Sequence, residues 1–238
     1  RAAFASGYRP PAAHRMREDE TVRILLAGSS GFLGTRLRER LRAAGHEVIR
    51  LVRRDARAPD EVEWRPEAGL LDPAVVATAD AVVNLAGTPL GVRLGQVSLP
   101  VRRWTAAYQR EFRASRVDST ATLARAISLA DRKPSVFLAA SAVGWYGDTG
   151  DTEVDEQAPA GEGFLADTCR VWEAATGPAE EAGVRVVWMR TGFPLHRDGG
   201  LLGPQLIPFR LGLAGRLGSG RQWQPWIAMV DWLDAVEL

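Results

Sequence analysis

The chain has 238 residues, 46% of them hydrophobic and 25% charged, which is enough for one sizeable core or one core with a small appended lobe. A formal net charge of +1 gives no whole-chain support for a nucleic-acid or anionic-membrane partner, and no apolar run approaches the length of a bilayer span. A single cysteine, Cys169, excludes an internal disulfide framework and a cysteine-rich metal site, and it fits a reducing cytoplasm.

Residues 1–20 are rich in Arg, Ala and Pro, without period and without an apolar signal core. They read as a disordered leader, a linker from an upstream domain or a mis-assigned start. Val22 to Ala27 is a short apolar run, predicted as a buried strand. Gly28-Ser29-Ser30-Gly31-Phe32-Leu33-Gly34 follows it directly. Thr35 to Ala44 sets Leu37 and Leu41 on one face among arginines, which predicts an amphipathic helix closed by Gly45. Val48 to Val52 is the second strand, and Asp80 to Gly87 a third that runs into a loop. Trp104 to Leu129 predicts one long helix or two consecutive ones. Ser135 to Ala140 is the next strand, Phe164 to Ala182 is helical, and Val184 to Met189 is a further strand ended by Arg190-Thr191-Gly192. Alternating strands and helices predict a Rossmann-type, doubly wound parallel α/β sheet over residues 21–192. From 193 to 238 Gly, Pro and Trp predict a loop-rich substrate lobe rather than more sheet. Trp226 to Leu238 ends inside a helix-like pattern without a stop signal, so the lobe is expected to be truncated.

The glycine spacing G-x-x-G-x-x-G between a strand and a helix carries the first functional reading. The chain must turn sharply there, a diphosphate must approach backbone N–H groups with no Cβ in the way, and the helix must pack closely on the sheet. The helix N-terminus favours an anion. A tight turn without a ligand is the alternative. NAD-preferring sites place an acid at the end of the second strand, whereas here that end is Leu51-Val52-Arg53-Arg54. Arginine suits the 2′-phosphate of NADP(H), and Arg53 is the candidate. Arg54 reads as a solvated charge, and Asp55 keeps NAD(H) as the second choice.

Several separated segments resemble one family, the atypical extended short-chain dehydrogenases/reductases of the YfcH-like epimerase kind. They are Asn84-Leu85-Ala86-Gly87, Arg103-Trp104-Thr105 with Ser115-Arg116, Ser141 to Asp148, Gly163-Phe164-Leu165 with Trp172-Glu173, Arg190-Thr191-Gly192, Gly199-Gly200, Pro208 to Gly212, and Gly218 to Gln222. The resemblance runs from about Val22 to Asp231. It implies a nucleotide-binding fold in which Leu85, Ala86, Gly87, Arg190, Thr191 and Gly192 join the glycine turn at the cofactor. It also implies an unidentified small-molecule substrate. Homodimer formation is left open. The segment after Trp226-Ile227 departs from the family pattern, retaining only Asp231 of its usual His and Asp. The loop from Gly91 to Val101 looks longer than usual, and a helix lysine is replaced by Gln109.

Ordinary short-chain dehydrogenases use Tyr-x-x-x-Lys, in which the lysine charge tunes the tyrosine. Here the lone lysine, Lys133, is preceded four residues earlier by Leu129, so the motif cannot form. By resemblance its two positions are Phe164 and Thr168. The candidate proton carriers are instead Ser141 and Tyr146, just past a strand's C-terminal end. Ser141 could equally cap a turn, and Tyr146 could pack on Trp145. Asp148, Asp155 and Glu156 read as solvated loop carboxylates. His14, His46 and His196 have no metal spacing, and no metal site is expected. Cys169 reads as a small buried hydrophobe. Arg210 and Arg221 in the lobe could meet an anionic substrate. Two functions follow: an NADP(H)-dependent oxidoreductase or epimerase, or a non-catalytic NADP-binding regulator of the kind the resemblance associates with cell division.

Overall fold

The computed structural model describes residues 21–89, 92–94, 97–99, 103–213, 215–216 and 219–237. The leader read into residues 1–20 and the glycine at 218 lie outside the described residues. Six strands form one parallel sheet: β1 (Arg23–Ala27), β2 (Glu47–Val52), β3 (Glu61–Glu63), β4 (Ala81–Asn84), β7 (Val136–Ala142) and β8 (Arg185–Thr191). Their spatial order is β3-β2-β1-β4-β7-β8. The order reverses between β1 and β4, so the two halves diverge and leave a crevice at the C-terminal strand ends. A short pair, β5 (Val92–Leu94) and β6 (Val97–Leu99), stands in the segment read as a long loop.

The strands are apolar on both faces because helices cover both. On one face Leu25, Ile49, Leu51, Val82 and Phe137 pack under α2 (Pro73–Ala77), α3 (Ala106–Leu129) and α5 (Gly177–Glu181) through Val76, Leu123, Ile127 and Ala179. On the other, Ile24, Leu26, Val48 and Val83 meet Leu37 and Leu41 of α1 (Phe32–Ala43) and Met229 and Trp232 of α7 (Met229–Glu237). Residues 229–237, grouped by sequence with the lobe, therefore return to the Rossmann core.

One open reading is settled and two expectations are corrected. The region 106–129 is a single helix of 24 residues. The helical stretch from Phe164 to Ala182 is two helices, α4 (Phe164–Ala174) and α5, parted at Thr176, a buried β-branched residue whose hydroxyl donates to the Glu173 carbonyl at 2.7 Å. The tail beyond Phe193 does contain sheet. Strand β9 (Phe193–His196) pairs antiparallel with β10 (Gly199–Gly200) and parallel with β11 (Trp226–Ala228). Between them lies α6 (Gly203–Arg210). Gly199 and Gly200 are in that sheet because the Phe32 ring lies against them. A Cβ on Gly199 would stand 2.6 Å from the ring, and one on Gly200 2.9 Å.

Candidate functional site

The glycine turn is built by close backbone approach. Gly28 has φ +80°, and a Cβ there would stand 2.5 Å from the Leu85 carbonyl. A Cβ on Gly34 would stand 2.1 Å from the Gly28 carbonyl oxygen, so the first turn of α1 can sit on the strand end only with glycine at that position. Gly31 is the N-cap residue of α1, and it offers no side-chain cap. The first turn of the helix holds no acid, leaving its N-terminal dipole uncompensated. Ser29 is buried, and its carbonyl accepts from Thr35 Oγ1 at 3.4 Å. Phe32 and Leu33 contribute backbone to the turn, while their side chains pack inward, Phe32 on the lobe and Leu33 on the α1 face of the core.

The loop after β4 is held beside this turn. Asn84 is fully buried and donates to Thr120 Oγ1 (2.9 Å) and Ser119 Oγ (3.3 Å) of α3. Its Oδ1 accepts from the Ala86 N–H at 3.0 Å. Leu85 N–H bonds the Ala27 carbonyl at 3.0 Å. Leu85, Ala86 and Gly87 are thereby fixed as the second wall of the crevice.

The two arginines at the end of β2 differ sharply. Arg54 is taken by Glu61, with guanidinium bonds of 2.8 and 2.7 Å to its two carboxylate oxygens. Arg53 is exposed and has no hydrogen-bond or ion-pair partner among the described residues. It is a free cation at the strand's C-terminal end.

A second cluster lies two strands away on the same edge. Ser141 of β7 and Arg190 of β8 are register partners. Buried Glu173 of α4 reaches both. Ser141 Oγ donates to Glu173 Oε1 at 2.6 Å. Arg190 grips both carboxylate oxygens, with Nε to Oε1 and Nη2 to Oε2 each at 2.9 Å. This clamp raises the Arg190 pKa, chiefly through its bond to Glu173. Arg190 also donates from Nη1 to the Glu156 carbonyl (3.0 Å) and the Tyr146 hydroxyl (3.4 Å), and it stacks on Trp145 at 3.9 Å. Sequence reasoning noted Trp172-Glu173 only as part of a pattern and missed Glu173 as Ser141's partner. A buried acid in a helix is the signal that could have found it, since such a group needs a partner.

Of the expected cofactor residues Arg190, Thr191 and Gly192, the first two have their side chains occupied within the protein and the third lies against backbone. Thr191 Oγ1 accepts from Trp232 Nε1 at 3.2 Å, and a Cβ on Gly192 would stand 2.1 Å from the Pro225 carbonyl oxygen. Thr191 and Gly192 join the sheet to the segment that follows it. Phe164 lies in an aromatic group with Trp104 and Phe112, and Thr168 Oγ1 donates to the Phe164 carbonyl at 2.7 Å. Neither offers acid–base chemistry. Asp148 and Asp155 cap turns through bonds from Gly150 N–H and Gln157 N–H, each at 3.0 Å. His46 Nδ1 accepts from Val22 N–H at 3.3 Å, and His196 lies 3.1 Å from Arg36 Nη2. Cys169 is buried beside the Ala142 carbonyl at 3.7 Å, and burial pushes its thiol pKa up. No group of three potential metal ligands occurs among the described residues. Likewise, no described helix is long and apolar enough to cross a membrane.

A parallel sheet in this order, with a glycine turn after its first strand, defines a Rossmann-type nucleotide-binding protein. Residues 24–192 match the NAD dependent epimerase/dehydratase family, and the chain belongs to that family. It is 44% identical over 214 residues to the epimerase family protein Mb2239 of Mycobacterium bovis, covering 90% of this chain and 67% of that one. Among solved structures it is similar to human epimerase family protein SDR39U1 with NADPH: TM-score 0.75, 36% identity, 90% of this chain and 68% of that one. A nucleoside-diphosphate sugar epimerase from Corynebacterium glutamicum superposes with TM-score 0.77 at 34% identity, over 91% of this chain. The chain spans 43% of the length of that structure.

Proposed function

We propose that this chain binds NADP(H) along the C-terminal edge of the sheet and carries oxidoreductase or epimerase chemistry on a small molecule. The observation that carries the cofactor reading is the unpaired Arg53 at the end of β2, with its neighbour Arg54 neutralised by Glu61. A free guanidinium suits a 2′-phosphate by charge and by forked hydrogen bonding. The glycine cradle, which added Cβ atoms would fill, suits the diphosphate. The NADPH in the human relative's structure supports the same choice.

When bound, the nicotinamide dinucleotide supplies a hydride donor and acceptor. The protein's task is then to hold and move a proton. Ser141 gives its hydroxyl hydrogen to Glu173, so its oxygen is left as an acceptor. A substrate hydroxyl that donates to Ser141 Oγ can pass its proton there, while the serine proton moves to Glu173. Tyr146 accepts from Arg190 and keeps its own proton to donate to a ligand oxygen. Arg190 orients both groups. This pair does the proton handling that Phe164 and Thr168 cannot do.

The aromatic Phe164 and the hydroxyl Thr168 favour the second reading, a nucleotide-binding regulator without turnover. Purified protein charged with NADPH and screened against carbonyl substrates separates the two. Cofactor oxidation that Ser141→Ala and Tyr146→Phe abolish supports the enzyme. Tight NADPH binding with no oxidation across a broad panel would instead establish the regulator.

A further inference from the structure

Arg116 of α3 lies against the loop that follows β4. Its guanidinium carbon would be 3.3 Å from a Cβ on Gly87, so the absence of a side chain there lets the cation rest on the loop backbone. Nη1 donates to the Thr88 and Phe112 carbonyls, each at 3.0 Å. The guanidinium also lies over two aromatics, 3.5 Å from the Phe112 ring centre and 5.2 Å from that of Trp172. No carboxylate pairs with it among the described residues. Burial pulls its pKa down to about 10, against which the nearby Cys169, beside the Ala142 carbonyl, and Tyr108 act to raise it. Arg113, one turn earlier, has a hydroxyl and a ring as partners, Thr168 Oγ1 at 3.3 Å and Phe164, and no carboxylate among the described residues.

Clamping Thr88 requires no charge, since a neutral amide could donate to those carbonyls. A partly buried cation without a counter-ion is costly to maintain. The Nε and Nη2 edge has no protein partner among the described residues. Neither of these atoms is among the fully buried, unpartnered polar atoms of the described residues, where only Arg23 Nε is found. The guanidinium thus lies between the Gly87 loop and Cys169, whose thiol sits at the Ala142 carbonyl just past Ser141.

We infer that Arg116 is an anion-binding residue, its Nε and Nη2 edge holding a phosphate or carboxylate group of a small molecule in this crevice. The inference rests on the crevice being a ligand site, as proposed above, but it does not require the ligand to be NADP(H). The anion has two sources, a phosphate of the dinucleotide or an acidic second substrate.

The test is thermal-shift and fluorescence titration of wild-type chain, Arg116→Met and Arg116→Lys. The probes are NADPH, inorganic phosphate alone, and inorganic phosphate added to NADPH-saturated protein. A tenfold or greater loss of NADPH affinity in Arg116→Met, largely restored in Arg116→Lys, assigns the edge to the dinucleotide. Unchanged NADPH affinity with loss of the phosphate-induced shift assigns it to a second anionic ligand. If the wild type binds phosphate through Arg116 but no NADPH, the cofactor reading fails and this inference stands. Binding of both probes by Arg116→Met at wild-type strength overturns it. Should Arg116→Met not fold, phenylglyoxal labelling of the wild type with peptide mapping replaces it. Phosphate or NADPH is expected to slow modification of Arg116 several-fold, and equal labelling with and without both probes overturns the inference.

Discussion

Arg53 and Arg54 are adjacent and chemically identical, and their partners give them different roles. Glu61 occupies Arg54 through two short bonds, which leaves Arg53 to meet a ligand. The sequence argued for Arg53 from its place at a strand end, and that place was legible because the strand and the glycine turn before it are local patterns. Glu173 was not legible in the same way. It stands 32 residues from Ser141, and only the packing of α4 across β7 and β8 brings it to 2.6 Å. The account expects Ser141→Ala to lower turnover by roughly 10²–10⁴-fold while leaving NADPH affinity unchanged, the range for loss of a proton-transferring group. Glu173→Gln should produce a similar loss with NADPH affinity unchanged, because Ser141 then loses the carboxylate that takes its hydroxyl hydrogen. Both are read by steady-state kinetics on whichever substrate the screen yields, beside a binding titration.

At the scale of elements, two junctions make separate predictions. The turn from β1 into α1 admits no Cβ at position 34, so Gly34→Ala forces the helix away from the strand. Overpacking of this kind costs about 1–3 kcal/mol, and NADPH binding should fall with it. A urea melt and a titration check the two effects together. The edge pair β2–β3 is tied by charge. Bonds from Arg54 and from the Arg57 N–H hold Glu61 at about 2, below its ordinary 4.5. Arg50 likewise lowers Asp60. Folded-state depression of a carboxylate means stability that is complete above the unfolded pKa and lost as pH falls through the folded one. Melting temperature should therefore decline from about pH 4.5 towards pH 2, and Glu61→Gln should be less stable at pH 7 with a shallower decline. An identical acid limb in the variant would contradict the assignment. Strand β3 escaped sequence reading because three residues, Glu61-Val62-Glu63, carry too little period to register.

For the whole molecule, the doubly wound architecture followed from alternation alone. Parallel strands buried on both faces show as apolar runs, and the helices between them show as amphipathic ones. The lobe was harder. Its strands are Phe193–His196, Gly199–Gly200 and Trp226–Ala228, and glycine and proline there look like loop until the Phe32 ring and the Pro225 carbonyl supply the tight contacts that require them. The return of α7 to the core was equally hidden, since nothing local says which sheet face an amphipathic helix will choose. Trp232 closes that return, buried under α1 and bonded to Thr191. Trp232→Ala should cost about 3–5 kcal/mol, the range for large aromatic truncations in a core. It should also loosen the seam between sheet and lobe, which hydrogen exchange at residues 191–196 would register.

The central claim is that this edge of the sheet selects NADP(H) through Arg53. Fluorescence titration of wild type and Arg53→Ala with NADPH and NADH tests it most directly. Wild type is expected to prefer NADPH, and Arg53→Ala to weaken NADPH at least tenfold while hardly changing NADH. Equal losses for both cofactors, a wild-type preference for NADH, or no binding of either would contradict it.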